Sequence, residues 1–270
     1  MLLHHARSLL FLPASNARAV EKAGSLDCDA VILDLEDSVP DDRKSEARAA
    51  LAAAFDKGFG HRIGAVRINA VGSPCHADDL ASIQGVAADL VVVPKVESAG
   101  VASAVHRSTG KPVIAMIESP LGVLNAREIA AAEGVSGLFM GVNDLRHDLR
   151  IPADASRAGL MLAMQTVILA ARAAGKAVFD GVWNRLDDDE GLRAECREGR
   201  ALGFDGKTLI HPNQIAATNE IFGPSAAEIE EARALIAAAT GGAERYQGRM
   251  IETMHVAQAR ALLERAGAAG

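Results

Sequence analysis

The sequence has few aromatic residues, few cysteines and no long apolar run. Phe, Trp and Tyr make up 3% of its 270 residues. The three cysteines, Cys28, Cys75 and Cys196, are far apart and form no CxxC pair, which argues against a disulfide framework or a zinc site and fits a reducing compartment. The apolar stretches are too short to span a bilayer, and the first residues do not resemble a signal peptide. We therefore predict a cytoplasmic protein with no membrane partner.

Dense blocks of basic residues are also missing. The net charge is −7, which disfavours nucleic acid as a partner. Apolar residues make up 49% of the chain, enough for a sizeable core. The length suits one large α/β domain, with or without a small appendage. These properties indicate a globular protein whose partners are small molecules.

Short runs rich in Val, Ile and Leu alternate with Ala-rich amphipathic segments. The strand candidates are "SLLFLP", "AVILDLED", "IGAVRIN", "LVVVPKV", "PVIAMIES", "SGLFMGV", "AVFDGVW" and "KTLIHP". Strand followed by helix, repeated in this way, predicts an α/β protein with a closed (β/α)8 TIM barrel, here over residues 1–224. An open doubly wound sheet is the alternative, although no GxGxxG or P-loop pattern favours it. Residues 225–270 are predicted to form a helical extension. We expect a lid or an arm that contacts a neighbouring subunit, or else a surface helix that closes the barrel base.

Polar side chains follow most of the predicted strands. They include Asp34, Glu36 and Asp37, then Arg67, Glu118 and Asp144. In a TIM barrel the chemistry lies at the carboxyl ends of the strands, so these groups are expected to meet. Several carboxylates around one mouth repel each other, and a divalent cation relieves that repulsion. Oxygen ligands without a nearby cysteine indicate Mg²⁺, with Mn²⁺ as the alternative ion.

The order of several motifs resembles a known family. The segments are "RSLLFLPASN", "DAVILDLEDSVPDDRKSEAR", "VRIN", "VPKVES", "MIES", "GVNDL" and "GFDGKTLIHPNQI". From about Arg7 onward the chain resembles the citrate lyase β-subunit-like (CitE-like) family of the HpcH/HpaI aldolase superfamily, near malyl-CoA and citramalyl-CoA lyases. The resemblance implies a Mg²⁺-dependent TIM-barrel lyase. Such a lyase breaks or makes a carbon–carbon bond of a 3-hydroxyacyl-CoA thioester, giving acetyl-CoA or propionyl-CoA and a 2-oxo acid. It also implies a homotrimer or a hexamer.

The resemblance assigns roles to individual residues. Glu118 and Asp144 are the implied metal ligands, and Arg67 is implied to contact the 2-oxo acid. Glu252, in "GRMIETMH", stands where the family has an Asp that reaches an adjacent subunit as the general base. The positions implied to bind coenzyme A are Phe11, Arg18, Lys22, Ile210 and His211. The residues expected to hold waters around the ion are Asp34, Glu36 and Asp37.

Plainer interpretations of the same residues stay open. Arg67 and Glu118 alone would make a buried ion pair, and Lys95 is expected to pair with a carboxylate rather than to form a Schiff base. Asp37 is as well suited to capping a turn, and His211 to a structural hydrogen bond. Arg18 and Lys22 lie on a charged helix face, where solvated side chains are the default.

Three alternative functions also remain. The first is a malyl-CoA-type thioesterase, which the replacement of Asp by Glu at position 252 keeps open. The second is an aldolase that acts on free 2-oxo acids without CoA. The third is a citrate lyase β-type subunit that needs a carrier protein.

Overall fold

Eight parallel strands close into a barrel in chain order, and the first strand also pairs with the eighth. The computed structural model describes residues 3–152 and 154–268, the last without its side chain. The strands are β1 (Ser8–Pro13), β2 (Ala30–Asp34), β3 (Ile63–Arg67), β4 (Leu90–Val93), β5 (Val113–Ile117), β6 (Val135–Met140), β7 (Ala177–Asp180) and β8 (Gly206–Leu209). The closed order confirms the predicted TIM barrel and excludes the open sheet.

Helices cover the outside of the barrel. They are α1 (Ala17–Ala23), α2 (Lys44–Lys57), α3 (His76–Gln84), α4 (Ala99–Thr109), α5 (Pro120–Leu124), α6 (Ala126–Ala130), α7 (Val142–Asp148), α8 (Met161–Ala173), α9 (Asp189–Leu202) and α10 (Ile215–Phe222). Local sequence sets where several of them begin. Asp188 caps α9 by accepting a hydrogen bond from the Gly191 amide at 2.8 Å, and Pro120 stands at the first position of α5 after the capping Ser119.

Several strands are shorter than the apolar runs that predicted them. The run "AVILDLED" forms a strand only as far as Asp34. Beyond it the chain turns, because the Asp34 carboxylate accepts hydrogen bonds from the amides of Glu36 and Ser38 at 2.9 and 3.1 Å. The acidic residues that follow therefore stand on a loop above the barrel.

Alternation along the strands separates an inner layer from an outer one. Val31 and Leu33 pack towards the helices, whereas Ile32 faces the barrel interior. The interior is filled mainly by Leu9, Phe11, Ile32, Ala65, Val92, Ile114, Met116, Phe139 and Phe179. The next inward positions after Ile32, Ala65 and Met116 are polar. The mouth of the barrel is thus a layer of charged side chains resting on a dry core.

A helical extension follows the barrel. It consists of α11 (Ala226–Ala238), the hairpin strands β9 (Glu244–Tyr246) and β10 (Arg249–Ile251), and α12 (Thr253–Ala268). Its small apolar cluster contains Ala232, Leu235, Ile251 and Ala259. Arg265 donates a hydrogen bond to the carbonyl of Asp205, just before β8, so this end of α12 lies against the barrel end opposite the mouth.

The outermost residues of the predicted ranges 1–224 and 225–270 fall outside the described residues. Contact of the extension with a neighbouring subunit stays a prediction. Among the helices in residues 3–152 and 154–268, none has the length and apolar character needed to cross a bilayer.

Candidate active site

A cavity of about 380 Å³ opens at the carboxyl ends of the strands. Most of the predicted site residues lie on its wall, namely Phe11, Asp34, Asp37, Arg67, Glu118, Asp144 and Ile210. They come from strands or loops that are far apart in the chain and meet because the barrel closes. This is the face on which TIM barrels carry their chemistry.

Asp34 holds the Arg67 guanidinium in place through two hydrogen bonds. The parallel register places the two residues side by side on β3 and β2. The guanidinium donates two hydrogen bonds to the carboxylate, from Nε at 2.7 Å and from Nη2 at 2.6 Å. Burial opposes ionisation of Asp34, but the hydrogen bonds and charge of Arg67 keep the pKa of this carboxyl below its usual value. The pair therefore fixes both the charge and the orientation of Arg67.

The contacts of Asp34 differ from the role that was expected. Its two oxygens accept five hydrogen bonds, all from Arg67, Ser38 and the Glu36 amide. A carboxylate satisfied in this way has little capacity left for waters around an ion. Asp34 instead orients Arg67. The buried pair between Arg67 and Glu118, which was the plainer alternative, is absent from the ion pairs of the described residues, because Asp34 and Glu36 take that place.

Glu36 is buried beside Arg67 but is poorly compensated. Its Oε2 lies 2.9 Å from Arg67 Nη1. The two groups are not aligned as a hydrogen bond, and Oε2 has no other partner among the described residues. Burial raises the pKa of Glu36 to about 8, and the negative charges of Asp37, Glu118 and Asp34 add to the effect while Arg67 opposes it. Glu36 is therefore a buried carboxyl group that Arg67 compensates only incompletely.

Glu118 follows β5 and points into the cavity. Its Oε1 accepts a hydrogen bond from the main-chain amide of Lys95 at 2.6 Å. Gly141 leaves room for the other oxygen, since a Cβ atom at that position would lie 2.4 Å from Oε2. Burial raises the pKa of Glu118 to about 7; the Lys95 amide opposes the shift and the charge of Asp144 reinforces it. Glu118 is thus held at Oε1, while its Oε2 has no hydrogen-bond partner among the residues that the structure describes.

Asp144 lies in the first turn of α7, and its side chain is about half exposed, at 46%. Lys95 Nζ is 3.9 Å from Asp144 Oδ2, so the expectation that Lys95 pairs with a carboxylate is confirmed. Asp144 shares the cavity wall with Glu118 and perturbs its pKa. The two carboxylates are therefore close enough to act on each other.

The donor set suits a hard divalent cation. Within the described residues no cluster of three His, Cys, Asp or Glu side chains has metal-binding geometry. Two carboxylates completed by water and substrate are, however, the usual arrangement for Mg²⁺. Burial raises the pKa values of Glu36 and Glu118, and a cation bound beside them would favour their ionised forms.

Of the residues expected to hold coenzyme A, Phe11 and Ile210 line this cavity. Arg18 and Lys22 are exposed on α1, the helix that follows β1 at the mouth. Neither has an ion-pair partner among the residues that the structure describes. Phe11 lies deeper, with its ring centroid 4.9 Å from Arg67 Cζ. The arrangement offers exposed positive charge outside and an apolar wall inside.

Ile210 and His211 differ in their surroundings. Ile210 is on the cavity wall and 40% exposed. His211 instead caps the short 3-10 turn Pro212–Gln214, since its Nδ1 accepts a hydrogen bond from the Asn213 amide at 3.2 Å. This is the structural hydrogen bond that was the alternative for His211.

Glu252 is not part of the cavity of its own chain. It stands between β10 and α12 and is exposed, and its amide donates to His255 Nδ1 at 2.9 Å. Among the described residues its carboxylate has no hydrogen-bond or ion-pair partner. Only a second copy of the chain would bring Glu252 to the mouth, and that remains a prediction.

Sequence reasoning missed three features of the site. The main-chain amide of Lys95 and the missing side chain of Gly141 both position Glu118, and a single sequence gives no sign of either. Asn143 and Asn184 form a reciprocal amide pair across the loops after β6 and β7, at 2.7 and 3.3 Å. The only signal was the motif "GVNDL", in which Asp144 alone was singled out as a site residue.

The fold and the site together define a class, a (β/α)8 barrel with a carboxylate-rich mouth beside a buried arginine. The family model described as HpcH/HpaI aldolase/citrate lyase matches residues 7–212, and the chain belongs to this family of enzymes. Family membership confirms the resemblance seen in the motifs.

Relatives match over nearly the whole chain. A (3S)-malyl-CoA thioesterase of Cereibacter sphaeroides is 44% identical over 98% of this chain and 96% of its own length. The citrate lyase subunit beta of Escherichia coli is 33% identical over 98% and 94% of the two chains. A crystal structure of protein CitE from Mycobacterium tuberculosis, in complex with magnesium, acetoacetate and coenzyme A, is 36% identical. It has a TM-score of 0.85 and covers 98% of this chain and 100% of its own.

Proposed function

We propose that this protein hydrolyses the CoA thioester of a 3-hydroxy dicarboxylic acid of the (3S)-malyl-CoA type, with Mg²⁺ held by Glu118 and Asp144. The observation that carries the proposal is the meeting of these two carboxylates with Arg67 in one cavity. The 44% identity to a (3S)-malyl-CoA thioesterase supports the substrate and the hydrolytic reaction. The magnesium and coenzyme A in the related CitE structure support the ion and the thioester.

Arg67 is proposed to hold the anionic end of the acyl group. Asp34 uses the Nε and Nη2 donors of the guanidinium, which leaves further N–H groups for a carboxylate or an anionic oxygen in the cavity. A divalent cation would polarise the substrate oxygens that it binds. Because Arg67 is already fixed, it stabilises developing negative charge without having to reorganise.

Arg18 and Lys22 are proposed to bind the phosphates of coenzyme A. Both are exposed on α1, the helix that follows β1, and they are one helical turn apart. The matched test is CoA binding, measured by calorimetry, for the wild type and for Arg18→Ala/Lys22→Ala. A large loss supports the CoA site. Equal binding by both proteins would favour an aldolase that acts on free 2-oxo acids.

Carbon–carbon cleavage is the second candidate, and it was the first expectation from the sequence. The family includes citrate lyase subunits, which favours this chemistry. In a retro-Claisen step the hydroxyl oxygen becomes the carbonyl of glyoxylate or pyruvate, and acetyl-CoA or propionyl-CoA leaves as an enolate. In the reverse direction Glu252 of a neighbouring subunit would remove the α-proton of the thioester.

One assay separates the two reactions by product. The purified chain is incubated with (3S)-malyl-CoA, with Mg²⁺ or with EDTA, and both free thiol and glyoxylate are measured. Hydrolysis gives malate and free CoA thiol, and we expect this result only with Mg²⁺. Glyoxylate with acetyl-CoA and no free thiol would assign the lyase.

Two further results would overturn the proposal. Unchanged turnover in EDTA would remove the cation from the reaction. Turnover only with a thioester on a carrier protein would assign a citrate lyase β-type subunit. A panel of malyl-, methylmalyl-, citramalyl- and citryl-CoA, with products resolved, then identifies the acyl group.

A further inference from the structure

We propose that the Lys95 ammonium is a built-in counter-ion of the cation site, which compensates Asp144 before the ion binds and is displaced when the ion arrives. The inference rests on the proposed function, because it needs an ion between Glu118 and Asp144. It adds a residue that acts against cation affinity rather than for it.

Lys95 touches both of the candidate ligands with different atoms. It follows β4, and its main-chain amide donates to Glu118 Oε1 at 2.6 Å. Its ammonium, at the other end of the side chain, is 3.9 Å from Asp144 Oδ2. Lys95 also has a φ of 52°, in the left-handed region that residues other than glycine rarely occupy. A single strained residue therefore bridges the two carboxylates.

The loop that carries Lys95 is held by contacts that do not involve its side chain. The Val96 amide donates to the carbonyl of Met116 at 3.2 Å. Ser119 Oγ donates to Glu97 Oε1 at 2.6 Å, and Asn125 Nδ2 donates to the Glu97 carbonyl at 2.8 Å. The amide of Lys95 thus stays on Glu118 when the side chain is changed. The charge can be removed without removing that hydrogen bond.

The Lys95 ammonium is held only weakly at Asp144 and can move away from it. Its ion pair with Asp144 is 3.9 Å long, too long for a hydrogen bond, and the two side chains are 52% and 46% exposed. Burial lowers the pKa of Lys95, but Glu36, Asp144, Asp37 and Glu118 outweigh it, so the ammonium stays charged. A divalent cation between Glu118 and Asp144 would repel it. The flexible side chain can then swing into solvent.

The inference predicts that removing the lysine charge strengthens cation binding. Mg²⁺ is titrated calorimetrically into the metal-free wild type and into Lys95→Met, which keeps an unbranched side chain only one atom shorter and without the charge. A nearby positive charge opposes a divalent ion, so we expect Lys95→Met to bind Mg²⁺ about three- to tenfold more tightly at low ionic strength. The difference should shrink in high salt because the groups are partly exposed.

Two control variants test whether the change in Mg²⁺ affinity comes from the charge at position 95. Lys95→Arg keeps the charge and should bind Mg²⁺ within about twofold of the wild type. Lys57 is a matched lysine away from the mouth, since its Nζ is 3.8 Å from Glu21 Oε1 and both side chains are exposed. Lys57→Met should leave the Mg²⁺ affinity unchanged. Thermal melts without Mg²⁺ check that every variant is folded.

The outcomes separate this inference from the proposed function. Tighter binding by Lys95→Met alone supports the counter-ion. Equal or weaker binding, with the wild type binding Mg²⁺ normally, overturns the counter-ion and leaves the proposed function standing. The same gain in Lys57→Met would also overturn it, because the effect would reflect only net charge. If the wild type itself fails to bind Mg²⁺, the proposed function fails as well.

Discussion

Two groups of buried charges in this molecule have opposite properties. One is at the mouth, around Glu36 and Glu118. The other lies between the barrel and its helices, where Asp180 and Lys207 are completely buried. Asp180 accepts hydrogen bonds from both terminal nitrogens of Arg157 at 3.0 Å and from Lys207 Nζ at 3.1 Å. Lys207 also donates to Glu195 at 2.6 Å.

The difference lies in how completely the chain compensates each charge. Burial penalises the charge on Asp180, but Lys207 and Arg157 outweigh that penalty and lower its pKa. At the mouth burial prevails, and the pKa values of Glu36 and Glu118 rise. The cations of the chain outweigh burial at Asp180, whereas at Glu36 and Glu118 they do not. The predictions below test this contrast.

Asp144→Ala should have the largest effect, and on turnover alone. Loss of a metal ligand should lower Mg²⁺-dependent turnover at least about ten-thousandfold, equivalent to about 5.5 kcal/mol of transition-state stabilisation. The melting temperature without Mg²⁺ should not fall, because Asp144 is half exposed and belongs to an undercompensated cluster. Asp148→Ala, one turn further along α7 and exposed, is the matched control. Comparable turnover by the two variants would contradict the assignment.

Lys207→Met should have the opposite profile, with its main effect on stability. Removing this ammonium weakens the compensation of Asp180 in a fully buried position, which should cost about 3–5 kcal/mol of unfolding free energy in urea. The control is Arg107→Met, since Arg107 forms an exposed ion pair with Glu133. That variant should be almost as stable as the wild type. A stable Lys207→Met protein would show that this cluster does not hold the fold.

Glu252→Ala should lower turnover about a hundredfold, and more than it lowers substrate affinity, if Glu252 acts as a general base. An equal loss in both would reassign it to binding. Because Glu252 is outside the cavity of its own chain, co-expressed Glu252→Ala and Asp144→Ala chains should regain activity in mixed oligomers. No recovery in verified mixed oligomers would argue against a base from a neighbouring subunit.

The smallest expected effect is a pH dependence of Mg²⁺ affinity. Glu118 must lose its proton to bind the ion, and its pKa in the metal-free fold is about 7, above its ordinary value of 4.5. Affinity should therefore fall up to about tenfold per unit as the pH drops below 7. In the metal-free protein the raised pKa means that stability is lost as the pH rises from 4.5 through 7. Calorimetry and melts across this range test both signs, with Glu118→Gln as the insensitive control.

Much of the fold was predictable because a parallel barrel repeats one local pattern. Each strand of the barrel appears in the sequence as a short apolar run, and the carboxyl ends of those runs identified Arg67, Glu118 and Asp144. For several strands the predicted end lies beyond the observed one, as in β2, which ends at Asp34. Apolar periodicity does not reveal where a side chain begins to accept hydrogen bonds from its own loop.

The sequence by itself determined the eight-fold alternation of strand and helix, the order of the motifs and the acidic character of the strand ends, since these depend on neighbours along the chain. Only the tertiary structure decided that Asp34 holds Arg67, that the Lys95 amide and the absence of a side chain at Gly141 position Glu118, and that Glu252 stands away from the mouth of its own chain. The reason is physical: each of these depends on strand register and barrel closure, which bring together residues tens of positions apart at distances that only packing fixes.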